Sequence, residues 1–162
     1  MLETKRCTIR PLQKSDYMDV KALYINEEVR QYLGGVVPEQ YIELGFEDSL
    51  RANQDGLNGV IREKETNYFI GLVSLNLHHD GAFYEVSYQL LPSWWGNGYA
   101  TEAVQCVIEY AFNELKLPKI IAETQTANAS SIRLLEKLGM TFEKTLVRFE
   151  AEQAIYSIEV FN

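Results

Sequence analysis

The sequence predicts an α/β domain: one mixed, mostly antiparallel sheet with a single central parallel βαβ unit and flanking helices. Three observations carry this reading. The run Phe83–Leu90 alternates apolar residues with polar ones at Glu85, Ser87 and Gln89, as a half-buried strand does. From Tyr99 to Leu115, apolar Ala100, Ala103, Val104, Val107, Ile108 and Ala111 recur at three- and four-residue spacing, the mark of an amphipathic helix. Beyond Pro118 the run Lys119–Thr124 reads as a buried strand, and a helical crossover of this length forces it parallel to the first.

The remaining elements follow in chain order. A strand at Thr8–Pro11 leads to Ser15, an N-cap candidate before a helix with an apolar stripe at Met18, Val20, Leu23 and Tyr24. A short helix over Glu27–Leu33 stops at Gly34-Gly35, and Pro38 suits the first turn of a third helix reaching Asn53. Gly56 and Gly59 then break the pattern. Strands follow at Gly59–Glu63, Tyr68–Leu77 and Phe83–Leu90, with His78-His79-Asp80-Gly81 as the hairpin turn between the last two. After the parallel strand, a helix over Ser130–Leu138 closes at Gly139, and strands at Phe142–Glu150 and Ala154–Phe161 complete the sheet.

Length and composition bound the function. The 162 residues suit one domain spanning the whole chain, with no linker, repeat or low-complexity run. The N-terminus lacks the apolar segment of a signal peptide, and no eighteen apolar residues run together, so a cytoplasmic protein without a membrane partner is expected. Cys7 and Cys106 are too few for a disulfide framework or a zinc site; they read as core thiols, and no metal is expected. A net charge of −8 without a basic stripe argues against nucleic acid and favours cationic substrates such as amines. A monomer or a homodimer is expected.

The chemistry concentrates in the turn from Pro92 to Thr101. Small residues at Gly96, Gly98 and Ala100 let a ligand approach the backbone, and the unpaired amides of the following helix attract an anion. A pyrophosphate fits such a cradle. The turn is not a P-loop, which ends in Gly-Lys-Ser/Thr, and it lacks the third glycine of a dinucleotide fingerprint, because Thr101 stands there.

Gly98 and Ala100 occupy the small-residue positions of a Gln/Arg-x-x-Gly-x-Gly/Ala string, and the segment resembles the acyl-CoA signature of the Gcn5-related N-acetyltransferase (GNAT) superfamily. Trp95 departs from the usual Gln/Arg. The wider Trp-Gly-x-Gly-Tyr-Ala-Thr-Glu-Ala string looks like the branch that acetylates ribosomal-protein N-termini. Two distant stretches are similar to the family as well: Thr4–Leu12 followed by Asp16, and Asn128–Met140.

The resemblance implies acetyl-CoA as co-substrate and direct attack by a primary amine, without metal and without an acyl-enzyme. It implies that the strands Phe83–Leu90 and Lys119–Thr124 splay to admit the pantetheine arm. Main-chain groups of Leu90 and Leu91 would hold that arm and the thioester carbonyl, and amides of Trp95, Gly96, Asn97, Gly98, Tyr99, Ala100 and Thr101 would hold the pyrophosphate. Asn128 would bond the pantetheine, and Ser131 would protonate the departing thiolate, since Leu135 fills the position where many members carry a tyrosine. An attacking ammonium must first lose a proton to a base with a pKa near neutral. Glu85 is the first candidate and His78 the rival, with His79 next to it in an uncertain register. Two acceptor classes follow: a protein N-terminal α-amine first, and a small amine such as a polyamine, amino acid or aminoglycoside second. A CoA-binding sensor without catalysis is the alternative of a different class.

Overall fold

The computed structural model describes residues 1–160, which build one eight-stranded sheet. Its strands are β1 (Leu2–Glu3), β2 (Cys7–Pro11), β3 (Leu57–Glu63), β4 (Phe69–Leu77), β5 (Tyr84–Leu90), β6 (Lys119–Gln125), β7 (Thr141–Arg148) and β8 (Ala151–Glu159). They lie in the order β1-β2-β3-β4-β5-β6-β8-β7, and every neighbouring pair is antiparallel except β5 and β6. The helices are α1 (Tyr17–Tyr24), α2 (Glu27–Arg30), α3 (Glu39–Arg51), α4 (Tyr99–Asn113) and α5 (Ala129–Lys137). The expected fold class is the observed one.

Period-two alternation splits the core between the two faces of the sheet. Ile61 joins Val73, Leu75 and Val86 beneath Val104 and Val107 of α4 and Leu135 of α5. Its neighbour Val60 faces the other way, among Val20 and Leu23 of α1 and Ile42 and Phe46 of α3. The central strands are therefore covered on both faces. Toward β6 and β8 the α1–α3 layer runs out, and polar residues of β5 and β6 line an open cleft instead.

Several boundaries differ from the sequence expectation. The strand expected from Gly59 begins two residues earlier, at Leu57, so Gly59 lies inside β3, where a Cβ would sit 2.6 Å from Cγ2 of Ile9; glycine permits the close approach of a neighbouring core side chain. Ser15 caps nothing. It lies in a short 3₁₀ turn, where the carboxylate of Asp16 accepts the Gln13 amide (2.8 Å) and the guanidinium groups of Arg10 (2.9 Å) and Arg62 (3.2 Å). The second helix ends at Arg30, and the third begins at Glu39 just after Pro38. The strand pair at the C-terminus is joined by only Phe149 and Glu150, so β8 starts at Ala151. The expected end at Phe161 lies outside the described residues. The two-residue β1 had no periodicity to announce it.

Candidate active site

The parallel pair that the sequence placed at the centre of the sheet is brief. β5 and β6 share only the registers Tyr84–Ile120 and Glu85–Ile121, and then diverge, while β4 follows β5 as far as Leu90. The divergence opens a notch in the sheet, which widens into a cleft of about 1150 Å³.

The main chain of β5 on the notch side is left without a partner. Along the β4–β5 ladder the His78 amide donates to the Phe83 carbonyl (2.8 Å), and the Leu91 amide donates to the Ile70 carbonyl (2.9 Å). Antiparallel pairing alternates, so odd-numbered residues of β5 serve β4 and even-numbered ones turn toward β6. The Tyr88 main chain and the Leu90 amide thus face the notch. The Leu90 carbonyl accepts the Trp95 indole N–H at 2.9 Å. Leu91 departs from expectation: its amide is committed to Ile70, and its carbonyl accepts the Trp94 amide at 3.0 Å, so it has no free donor for a ligand.

Immediately past β5, a short 3₁₀ turn (Pro92–Trp94) and two left-handed glycines, Gly96 (φ +79°) and Gly98 (φ +83°), redirect the chain into α4. Among the described residues, none of the six amides from Gly96 to Thr101 donates to an acceptor in the chain. Four of them are the unpaired donors at the start of any helix; the left-handed turn adds the others. The Trp95 amide, expected in this set, is instead spent on the Pro92 carbonyl (3.1 Å). The turn is braced from beneath. Trp94 packs edge-on against Tyr99 with ring centroids 5.1 Å apart, and the Arg6 guanidinium lies 3.9 Å above the Tyr99 ring. Arg6 also bonds Glu102 through Nε (2.8 Å) and its amide (2.9 Å). Glu102 thus ties the N-terminal segment to α4.

Both faces of the notch carry chemistry. Glu85 and Tyr88 are three residues apart on one strand and so point to opposite faces. On the α4–α5 face, the Tyr88 hydroxyl donates to Ser131 Oγ at 3.0 Å, and Asn128 caps α5 by accepting the Ser131 amide at 3.2 Å. Burial pushes the Tyr88 phenol above its ordinary pKa, while the Ser131 bond pulls it down. Tyr88 was not among the candidates the sequence marked. Its partnership with Ser131 spans 43 positions and left no local signal.

On the other face, Glu85 and Glu123 both line the cleft. Burial pushes the Glu85 carboxyl up to about 6; His78 and Arg148 pull against this, and the charge of Glu123 adds to it. Glu123 is held from two sides: its Oε1 lies 2.8 Å from His78 Nε2, and its Oε2 accepts Arg148 Nε at 3.0 Å from the end of β7. No sequence signal marked Glu123, because both its partners are distant in the chain.

His78 departs from its expected role as a rival base. It is only 2% exposed, and the cleft is lined by His79 instead. Both its ring nitrogens are engaged within the chain: Nε2 lies 2.8 Å from Glu123 Oε1, and Nδ1 lies 3.2 Å from the Asp80 amide nitrogen. No lone pair of His78 faces the cleft. Donor atoms of His78, His79 and Glu123 lie within 4.8 Å of one another, but both oxygens of Glu123 are already engaged, one by His78 and one by Arg148.

A cradle of free amides, a split parallel pair and a desolvated carboxylate define an acyl-CoA-dependent transferase. Residues 6–141 match the model of the acetyltransferase (GNAT) domain, and the chain belongs to this family. It is 31% identical to the uncharacterized N-acetyltransferase p20 of Bacillus licheniformis over 99% of this chain and 94% of that one. It is 26% identical to spermidine N(1)-acetyltransferase of Escherichia coli over 86% of this chain and 75% of that one. Among solved structures, a GNAT-family acetyltransferase from Bacillus anthracis superposes with a TM-score of 0.86 at 25% identity, covering 98% and 97% of the two chains. The protein is thus an N-acetyltransferase that uses acetyl-CoA. Among the described residues no helix is long and apolar enough to cross a membrane.

Proposed function

We propose that the protein transfers the acetyl group of acetyl-CoA to a small, positively charged amine. The observation that carries this reading is the character of the acceptor side of the cleft. Glu28 of α2 and Glu85 both line it, and neither has a cationic partner among the described ion pairs. An ammonium entering from the α1–α3 face meets this acidic wall and hands a proton to Glu85. A base with a pKa of about 6 is ionised at neutral pH yet still basic enough to accept it. Glu123, locked between His78 and Arg148, is the weaker candidate, because both its oxygens are already engaged.

In this scheme the pyrophosphate of CoA sits on the amides of Gly96 to Thr101, with Arg133 and Lys137 of α5 adding positive charge along the same cleft. The pantetheine arm replaces the missing β6 partner of Tyr88 and of the Leu90 amide. Asn128 lies beside its path. A main-chain donor at Leu90, aimed at the thioester oxygen, stabilises the negative charge that develops as the amine attacks. The tetrahedral intermediate then collapses: the C–S bond breaks, and the thiolate takes a proton from Ser131, which the Tyr88 hydroxyl behind it restores. Base and acid approach from opposite faces of the sheet, so the amine proton leaves on one side while the thiol forms on the other.

The second acceptor class, a protein N-terminal α-amine, is supported by the resemblance of the Trp-Gly-x-Gly-Tyr-Ala string alone. The likeness to the Escherichia coli spermidine enzyme gives the small amine modest support. One experiment separates the classes: thiol release from acetyl-CoA with spermidine, amino acids, aminoglycosides and peptides bearing free N-terminal Ala or Ser. Turnover of a cationic small amine, with a KM that rises as salt screens the acidic wall, is the expected result. Turnover of peptides with every small amine inert would transfer the assignment to protein N-termini. Tight CoA binding without turnover of any amine would leave a sensor.

A further inference from the structure

The hairpin between β7 and β8 is built from residues unsuited to it. Arg148 pairs directly with Ala151, so Phe149 and Glu150 form a two-residue turn, and both have positive φ, +55° and +63°. Such turns are the province of Asn-Gly and Asp-Gly, because L-residues with bulky side chains are strained in the left-handed region. Phe149 gains little for that strain. Its side chain is 75% exposed, and among the described residues its aromatic neighbour is His79, edge-on at 6.2 Å.

The turn is nevertheless held firmly in place. Arg148 is bonded to Glu123, and its carbonyl accepts Gln153 Nε2 at 3.2 Å. The anchoring brings the Phe149 ring to the lining of the cleft beside His79, Glu85 and Glu123, on the side away from the amide cradle. A costly conformation, an exposed apolar ring and a position in the wall of the acceptor side coincide at one residue, and fold stability accounts for none of them. We infer that Phe149 is an acceptor-recognition residue: its ring lies over the alkyl segment of the incoming amine, where its π face also attracts the amine's positive charge. The inference rests on the amine-acceptor reading above, and it assigns the specificity of that site to a residue whose placement is strained.

Replacing Phe149 with Asn tests this, because Asn tolerates the left-handed region and keeps the turn while removing the ring. With spermidine as probe, or the best amine of the panel above, we expect the acceptor KM to rise roughly five- to thirtyfold with kcat little changed. The dissociation constant of acetyl-CoA by calorimetry should match the parent, and the melting temperature should be equal or higher. Phe149→Tyr should restore the acceptor KM. An unchanged acceptor KM in the Asn variant overturns the inference and leaves the transferase reading intact. A melting temperature several degrees lower makes the ring a packing element and overturns it as well. A parent enzyme that turns over none of the amines refutes both readings together.

Discussion

Replacing Glu85 with Gln should inactivate the enzyme and make its fold more stable, and the two effects have one physical cause. The Glu85 carboxyl is pushed from 4.5 to about 6, chiefly by burial. A folded-state pKa above the unfolded one means that the protonated carboxyl is preferred in the fold. Its contribution is fully present below pH 4.5 and is lost as pH rises through about 6. One and a half pKa units correspond to about 2 kcal/mol of stability surrendered at neutral pH. Gln has the shape of the protonated acid and never ionises. The variant should therefore match the parent at pH 4 and exceed it by about 2 kcal/mol at pH 7.5, or about 4–8 °C in melting temperature for a domain of this size. In the same variant kcat should fall roughly a hundredfold or more, as the loss of a general base does. The parent's kcat/KM should rise with pH around 6, and the residual activity of the variant should lack that rise. Urea denaturation at the two pH values and initial rates between pH 5 and 8 measure both halves. A variant no more stable at pH 7.5 than at pH 4, relative to the parent, would refute the desolvation argument. Full activity in a folded variant would move the base elsewhere, with Glu123→Gln the next to test.

Gly98→Val should weaken CoA binding at least a hundredfold, read as loss of the thermal shift that CoA gives the parent. Within the chain a Cβ at Gly98 would meet only Arg6 Nη2, at 3.4 Å. The obstacle is the left-handed φ of +83°, which a β-branched residue resists, so the turn must re-form and its free amides lose their aim. Asp16→Asn should lower stability by about 2 kcal/mol, because Arg10 loses its carboxylate partner and the Gln13 amide its charged acceptor, while Arg62 keeps only Asp19. Burial works against ionisation of Asp16, but bonds from Arg10, the Gln13 amide and Arg62 outweigh it and hold its pKa below the usual carboxylate range. That depressed value makes the contribution full above the unfolded pKa of about 4 and lost as pH falls further, so the Asn variant and the parent should converge in denaturation curves at strongly acid pH.

What the sequence alone determined is what a few consecutive residues can dictate. Alternation in Phe83–Leu90 made a strand, three- and four-residue spacing made α4, and the glycines between them set a left-handed entry that leaves the first helical amides unpaired. The cradle from Gly96 to Thr101 followed from these local rules. Glu85, too, was legible as a carboxylate on the polar face of that strand. Tertiary structure decided the rest. It buried His78 behind Glu123, consumed the Leu91 amide in the ladder to β4, set Ser131 against Tyr88 and carried Phe149 to the cleft on a hairpin. Backbone conformation and helix ends depend on neighbours within about four residues, so they are written in short strings. Desolvation, charge pairing and the use of each main-chain amide depend on groups brought together from tens of residues away. The pKa of Glu85, on which its proposed role as base rests, belongs to that second kind.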